Sequence, residues 1–98
     1  MILNGKSEVD FIKWASYNYG EDSGDLTMLR EVYRNALIIE FFDSVGIYIG
    51  IQYTEIDSIG MYDWRIHYSN FYGTNNSRQE AIIQAIKKAN DIYNARFK

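Results

Sequence analysis

The spacing of apolar residues changes from a helical period to a period of two at Ile47, and this change constrains the fold more than any other feature of the chain. From Ile47 to Tyr53 every second residue is apolar, and the same alternation returns from Tyr62 to Tyr68. Side chains along a strand point alternately to the two faces of a sheet, so this period is typical of half-buried strands. Residues 57–60 lie between the two segments and predict the turn of an antiparallel hairpin.

Two further elements follow the hairpin. Ser69 and Asn70 are turn residues, and residues 71–74 predict a short third strand at the edge of the sheet. Residues 77–80, with the sequence SRQE, form a capping box that satisfies free N–H groups at the start of a helix. We expect this helix to continue to about Ala95 and to bury one apolar face. That face consists of Ile82, Ala85, Ile86, Ala89, Ile92 and Tyr93.

The first half of the chain has the period of helices. One helix is predicted from Ser7, which can cap it, to a stop at Gly20. Its apolar stripe consists of Val9, Ile12, Ala15 and Tyr19. A second helix is predicted from Asp25 to a glycine stop at Gly46. Residues 37–42 are rich in β-branched and aromatic residues, so a strand is the alternative there.

These elements predict an α+β fold with two N-terminal helices, a short antiparallel β-meander of two to three strands, and a C-terminal helix packed on the sheet. A chain of 98 residues has room for one hydrophobic core, so we expect a single domain over residues 1–98. The absence of cysteine favours a reducing compartment. No signal peptide is evident, and no apolar run approaches the roughly 20 residues that span a bilayer. We therefore expect a cytoplasmic protein that does not contact a membrane.

Residues with catalytic or metal-binding chemistry are few and do not form a known arrangement. His67 is the only histidine, and no G-x-S-x-G motif accompanies it. Glu21, Asp22 and Asp25 lack the spacing of a calcium-binding loop. The net charge is −3, with Lys and Arg dispersed along the chain, so nucleic acid is not an expected partner. We expect a non-enzymatic protein without a metal or a cofactor.

The hairpin also predicts a face directed away from the helices. If the isoleucines of the first strand and Trp64 pack beneath the helices, the intervening residues lie together on the opposite side. These residues are Tyr48, Gln52, Asp63, Arg65 and His67, around the bare backbone of Gly50. Tyrosine and arginine are frequent in interfaces, so we interpret this set as a partner-binding or ligand-binding face. Alternatively, the face only meets water, or a small ligand, nucleotide or single-stranded nucleic acid stacks on its aromatic and arginine side chains.

Aromatic residues are numerous for a domain of this size. Nine tyrosines, five phenylalanines and two tryptophans exceed what one helix face and one sheet face can enclose. We expect Tyr17, Tyr48, Tyr72 and Phe97 at the surface. Phe71 and Tyr72 fall on the predicted edge strand, whose free backbone groups can pair with another chain. We therefore expect self-association through this edge, most simply as a homodimer.

Two segments resemble a known group of proteins. Residues 36–51 read ALIIEFFDSVGIYIGI, and residues 77–94 read SRQEAIIQAIKKANDIYN. The second is similar to the C-terminal helix of small uncharacterised proteins from phages and prophages, in which a tryptophan-bearing strand, here with Trp64, precedes an S-R-Q-E-A helix. The resemblance covers roughly half of the chain. It implies an accessory factor or an inhibitor of a host protein, such as a defence protein, that acts by protein–protein contact in the host cytoplasm.

Overall fold

The computed structural model describes residues 1–97 and has an α+β fold, as predicted. Helices precede a three-stranded antiparallel sheet, and a long helix follows it and packs on the sheet. The elements are α1 (Gly5–Tyr19), α2 (Ser23–Met28), α3 (Glu31–Ser44), β1 (Ile49–Ile56), β2 (Ile59–Ile66), β3 (Tyr72–Asn75) and α4 (Arg78–Arg96). Of the helices in residues 1–97, none combines the length and the apolar composition that crossing a bilayer requires.

The sheet has the strand order β1-β2-β3, so β2 is central and the other two strands are edges. The pair of Ile56 with Ile59 closes the hairpin between β1 and β2. Asp57 and Ser58 form its two-residue turn, and both have positive φ angles, 52° and 65°. Positive φ at both central positions is the geometry of a type I′ turn, whose twist matches that of the strands. β3 begins at Tyr72, one residue later than predicted.

The core lies between the helices and one face of the sheet. Ile66 is buried there, and Ile49 and Trp64 pack against it from the same face. Several aromatic side chains fill the space between α1, α3 and α4. The buried apolar residues of this core are Leu3, Phe11, Ala15, Leu26, Ile38, Phe41, Phe42, Ile47, Ile66, Ile86, Ala89 and Tyr93.

The predicted second helix is two helices, because the chain leaves the helical conformation at Leu29 and Arg30. Their ψ angles are 146° and 143°, which are extended values. The guanidinium of Arg34 donates to the carbonyl of Leu26 at 3.3 Å and to that of Leu29 at 3.4 Å, so it satisfies groups near the break. Residues 37–42 are helical within α3, so the strand alternative is wrong.

The start and the buried side of α1 also differ from the prediction. Ser7 is buried inside the helix, and the N-cap position is Asn4. Ala15 of the predicted stripe is buried and Ile12 packs against the core, but Val9 is 50% exposed and Phe11 is fully buried instead, so the buried side is rotated from the predicted one. α4, in contrast, begins as predicted, since Ser77 accepts a hydrogen bond of 3.1 Å from the backbone N–H of Glu80.

An uncovered sheet face as the candidate functional site

One face of the sheet is turned away from the helices, and we call it the outer face. The alternation of side chains places even-numbered residues of β1 and odd-numbered residues of β2 on this face. The opposite side chains, among them Ile49, Trp64 and Ile66, contact the core. The outer face consists of Tyr48, Gly50, Gln52, Thr54, Ile56, Ile59, Met61, Asp63, Arg65, His67, Tyr72 and Thr74.

A groove of about 490 Å³ crosses the outer face. Four of the five predicted site residues line it, namely Gln52, Asp63, Arg65 and His67. The other lining residues are Gly50, Ile51, Trp64, Tyr72, Gly73 and Thr74. Tyr48 is exposed beyond the end of the groove, where its ring meets that of Tyr68 edge to face at 6.2 Å between centroids.

Asp63 is held in place by both neighbouring strands. One carboxylate oxygen accepts a hydrogen bond of 2.8 Å from the hydroxyl of Thr54, and the other accepts one of 2.9 Å from the hydroxyl of Thr74. These bonds connect β1 and β3 through a side chain of β2. A carboxylate with both oxygens engaged has a fixed position and presents a fixed negative charge in the groove.

His67 lies over the backbone of Gly50 at one end of the groove. A Cβ atom at position 50 would come within 2.5 Å of Nε2 of His67, so only glycine leaves room for the ring in this position. The backbone N–H of His67 donates to the carbonyl of Tyr48 at 2.8 Å, which extends the pairing of the strands past Ile49. The groove therefore has a flat imidazole and bare backbone at this end.

Arg65 carries the free positive charge of the groove. It is exposed, and among residues 1–97 no carboxylate forms an ion pair with it. Its register partner on β3 is Tyr72, which is 76% exposed. A guanidinium and a phenol that stand side by side in water offer five N–H donors and a large flat apolar area to an incoming group.

The tip of the hairpin adds an apolar region to the outer face. Ile56 and Ile59 are 65% and 63% exposed, and Met61 follows on the same face. These three residues were not predicted as part of the site. Ile59 falls within the predicted turn of residues 57–60, but the turn consists of Asp57 and Ser58 alone. The strands therefore extend to Ile56 and Ile59, and the alternation places both on the outer face.

The residues predicted for self-association differ in their surroundings. The ammonium of Lys88 lies 4.4 Å from the ring centroid of Phe71, so α4 covers one side of this ring. Tyr72 is presented on the outer face instead. The other aromatic residues expected at the surface, Tyr17, Tyr48 and Phe97, are exposed.

A second groove, of about 330 Å³, lies on the helical side of the molecule. Its lining includes Tyr19, Tyr33, Leu37 and Glu40. The hydroxyl of Tyr19 donates to the carboxylate of Glu40, and this bond raises the pKa of Tyr19 above its ordinary value.

The acidic side chains of residues 1–97 show no arrangement for binding a metal ion. Burial, and then the neighbouring Glu40, raise the pKa of Asp43. Within residues 1–97, no group of three acidic or histidine side chains is placed to hold a metal ion.

Over residues 1–97, the fold and the outer face define a small α+β domain with an antiparallel sheet that helices cover on one side only. No protein-family model matches the chain, and no curated protein or solved structure shows significant similarity to it.

Proposed function

We propose that this chain is a small binding protein that contacts a partner protein through its outer face. In agreement with the resemblance to phage proteins, the partner is a host protein, and the chain acts as an accessory factor or an inhibitor by occupying part of its surface. The observation that carries the proposal is the continuity of the outer face. The apolar hairpin tip and the groove with Arg65 and Tyr72 form one surface that no helix of residues 1–97 covers.

The composition of the outer face resembles that of an interface centre. Tyrosine and arginine are enriched among residues that dominate binding energy, and apolar side chains gain free energy when a partner removes them from water. Ile56 and Ile59 are 65% and 63% exposed, so a partner that buries the rest of each side chain gains about 1–2 kcal/mol. A suitable partner presents an apolar pocket for the tip and a carboxylate for Arg65.

The charge of the groove argues against a polyanionic partner. Asp63 lines the same groove as Arg65, so its negative charge offsets the positive charge of the guanidinium. The whole chain has a net charge of −3, which repels nucleic acid. These two facts favour a protein over single-stranded nucleic acid among the functions expected from the sequence.

A small ligand is the second candidate, because the groove has the volume of many ligand sites, about 300–1,000 Å³. Nuclear magnetic resonance titration with mononucleotides and dinucleotides tests it. Changes at the amides of Gly50, Arg65 and His67 that saturate in the micromolar range would favour the small ligand. If the amide signals do not change at low salt, the small ligand is excluded and binding of a protein partner is favoured.

The protein partner is tested by affinity capture from a bacterial host lysate with matched variants. Arg65→Ala and Ile59→Ser change the outer face, whereas Tyr17→Ala removes a side chain that is 91% exposed on α1. We expect a specific protein to be captured by the wild type and by Tyr17→Ala, and to be lost with either outer-face variant. Calorimetry with the purified partner should then show at least about a tenfold weaker affinity for each outer-face variant.

Two results would contradict the proposal. The first is a partner that every variant retains with equal affinity, because this partner would bind elsewhere on the molecule. The second is a folded wild-type chain that captures nothing specific from host lysate. Circular dichroism of each variant establishes that a lost partner does not result from unfolding.

A further inference from the structure

The free edge of β1 offers an unbroken row of backbone groups. In an antiparallel pair, hydrogen-bonded and non-hydrogen-bonded positions alternate. Ile56 and Ile59 flank the two-residue turn and therefore form a hydrogen-bonded pair. The N–H of His67 donates to the carbonyl of Tyr48, which is eight residues before Ile56. The even-numbered residues of β1 therefore hydrogen-bond to β2. The odd-numbered residues therefore direct their N–H and C=O groups to the free edge. They are Ile49, Ile51, Tyr53 and Glu55.

This edge has few of the features that prevent an edge strand from pairing with another chain. Proteins protect such edges with proline, lysine, short strands or a covering segment. The chain has no proline, and β1 has eight residues with Glu55 as its single charge. Within residues 1–97, no backbone group outside the sheet bonds to the odd-numbered residues of β1. At the other edge, only Tyr72 and Thr74 direct backbone groups outward, because β3 has four residues.

We propose that a second copy of this chain pairs with β1 across a two-fold axis that passes beside Gln52. The register explains why a second copy fits. With Gln52 opposite Gln52, Ile49 faces Glu55 of the second copy and Ile51 faces its Tyr53. Every outward N–H and C=O of both strands then has a partner. A register displaced by one pair in either direction leaves such groups free at both ends.

Side chains across the proposed contact are also compatible. Like charges directly opposite each other destabilise a strand pair, but here each Glu55 faces an isoleucine. On the outer face the two Gln52 side chains meet, and primary amides can donate to and accept from each other. Gly50 and Thr54 face each other on either side of this pair, so no bulky groups collide.

The resulting dimer has a continuous sheet of six strands. A two-fold axis perpendicular to the sheet leaves both copies of α4 on one side and both outer faces on the other. The two grooves therefore open in the same direction. The dimer goes beyond the proposed function and does not depend on it, because β1 pairs through its backbone edge and the partner-binding groups lie on the face.

A single cysteine tests the register, since the chain has none of its own. Gln52→Cys places two thiols on the axis, where directly opposite Cα atoms at a non-hydrogen-bonded position are about 4.5 Å apart, within the range for a disulfide. Glu55→Cys is the matched control, because the two residues 55 would be roughly 20 Å apart. We expect mild oxidation to cross-link Gln52→Cys at least about tenfold faster than Glu55→Cys. Equal rates, or faster cross-linking of Glu55→Cys, would overturn the proposal.

Proline at each edge tests which strand pairs. Tyr53→Pro removes an outward N–H of β1 without breaking a bond to β2, and Tyr72→Pro does the same on β3. Sedimentation across a dilution series should show a dimer for the wild type and for Tyr72→Pro. For Tyr53→Pro we expect the dissociation constant of the dimer to rise by about tenfold or more. A wild-type monomer at every concentration, or a dimer lost only in Tyr72→Pro, would overturn the proposal. If Tyr53→Pro does not fold, the cysteine pair decides.

Discussion

The side-chain oxygen of Asn94 accepts a hydrogen bond of 2.8 Å from the backbone N–H of Ser7, so the last helix of the chain caps the first. Asn90 assists, because its side-chain oxygen accepts from the backbone N–H of Asn4 at 3.1 Å. The first N–H groups of a helix have no partner within the helix. Asn4 makes no side-chain cap bond, so α4 supplies the acceptors that α1 lacks locally.

Replacing Asn94 with alanine should therefore destabilise the fold. We expect the free energy of unfolding to fall by about 1–2 kcal/mol, as for the loss of a strong helix cap. Urea denaturation measures the change. Asn76→Ala is the matched control, since Asn76 is exposed beside the start of α4. An Asn94→Ala variant as stable as Asn76→Ala would show that water replaces the cap without loss.

The contact between Tyr93 and Asp10 should make stability fall at alkaline pH. The hydroxyl of Tyr93 donates to the carboxylate of Asp10 at 2.6 Å. Burial, and then this bond, raise the pKa of Tyr93 from 10.0 to about 12. The unfolded chain loses this proton near pH 10 and the folded chain near pH 12, so the stabilisation is complete below pH 10 and is lost as the pH rises to 12. The largest slope is about 1.4 kcal/mol per pH unit.

The comparison of Tyr93→Phe with the wild type isolates this effect. We expect the difference in unfolding free energy between the two proteins to shrink from pH 9 to pH 12, a range that includes the pKa of Tyr93 in the unfolded and in the folded chain. Tyr17→Phe serves as a control at a side chain that is 91% exposed. A difference that stays constant over this range would contradict the raised pKa of Tyr93. The same bond lowers the pKa of Asp10 below its ordinary value of 3.8, so its stabilisation is complete above that pH and is lost as the pH falls below 3.8.

Two glycines of the sheet should respond differently to alanine. A Cβ atom at Gly73 would lie 2.7 Å and 2.9 Å from Cε2 and Cζ2 of Trp64, whose ring packs against the core. A Cβ atom at Gly50 would meet the far end of His67, which is exposed and can turn away. We expect Gly73→Ala to lower the unfolding free energy by about 1–3 kcal/mol and Gly50→Ala by clearly less. Thermal denaturation of both variants checks the order, and equal losses would contradict it.

Glycine at position 58 should stabilise the hairpin. Ser58 has a φ of 65°, where a side chain costs energy and glycine does not. We expect Ser58→Gly to raise the unfolding free energy by about 0.5–1 kcal/mol, which corresponds to a rise of a few degrees in the melting temperature. Ser58→Ala is the control, because it keeps a Cβ atom in the same conformation. A glycine variant no more stable than the alanine variant would show that strain at this position is negligible.

Local patterns in the sequence predicted much of the fold and part of the candidate site. The period of two assigned the strands and placed Gln52, Asp63, Arg65 and His67 on one face, because the direction of a side chain in a strand depends on its position alone. The cap at Ser77 predicted the start of α4 within one residue for the same kind of local reason, since the hydrogen bond joins neighbours in sequence.

Contacts between distant residues decided the rest. α2 ends at Met28 and buries Leu26 in the core. The apolar stripe of the predicted second helix continues past this point, so it gives no sign of the break at Leu29. The rotation of α1 that buries Phe11 and exposes Val9 depends on α3 and α4, which pack against it. Asn94 lies 87 residues from the N–H group that it binds. The sequence by itself determined the strands, the last helix and which strand side chains share a face, whereas tertiary packing decided where α2 ends and which helix faces are buried, because burial depends on what lies opposite.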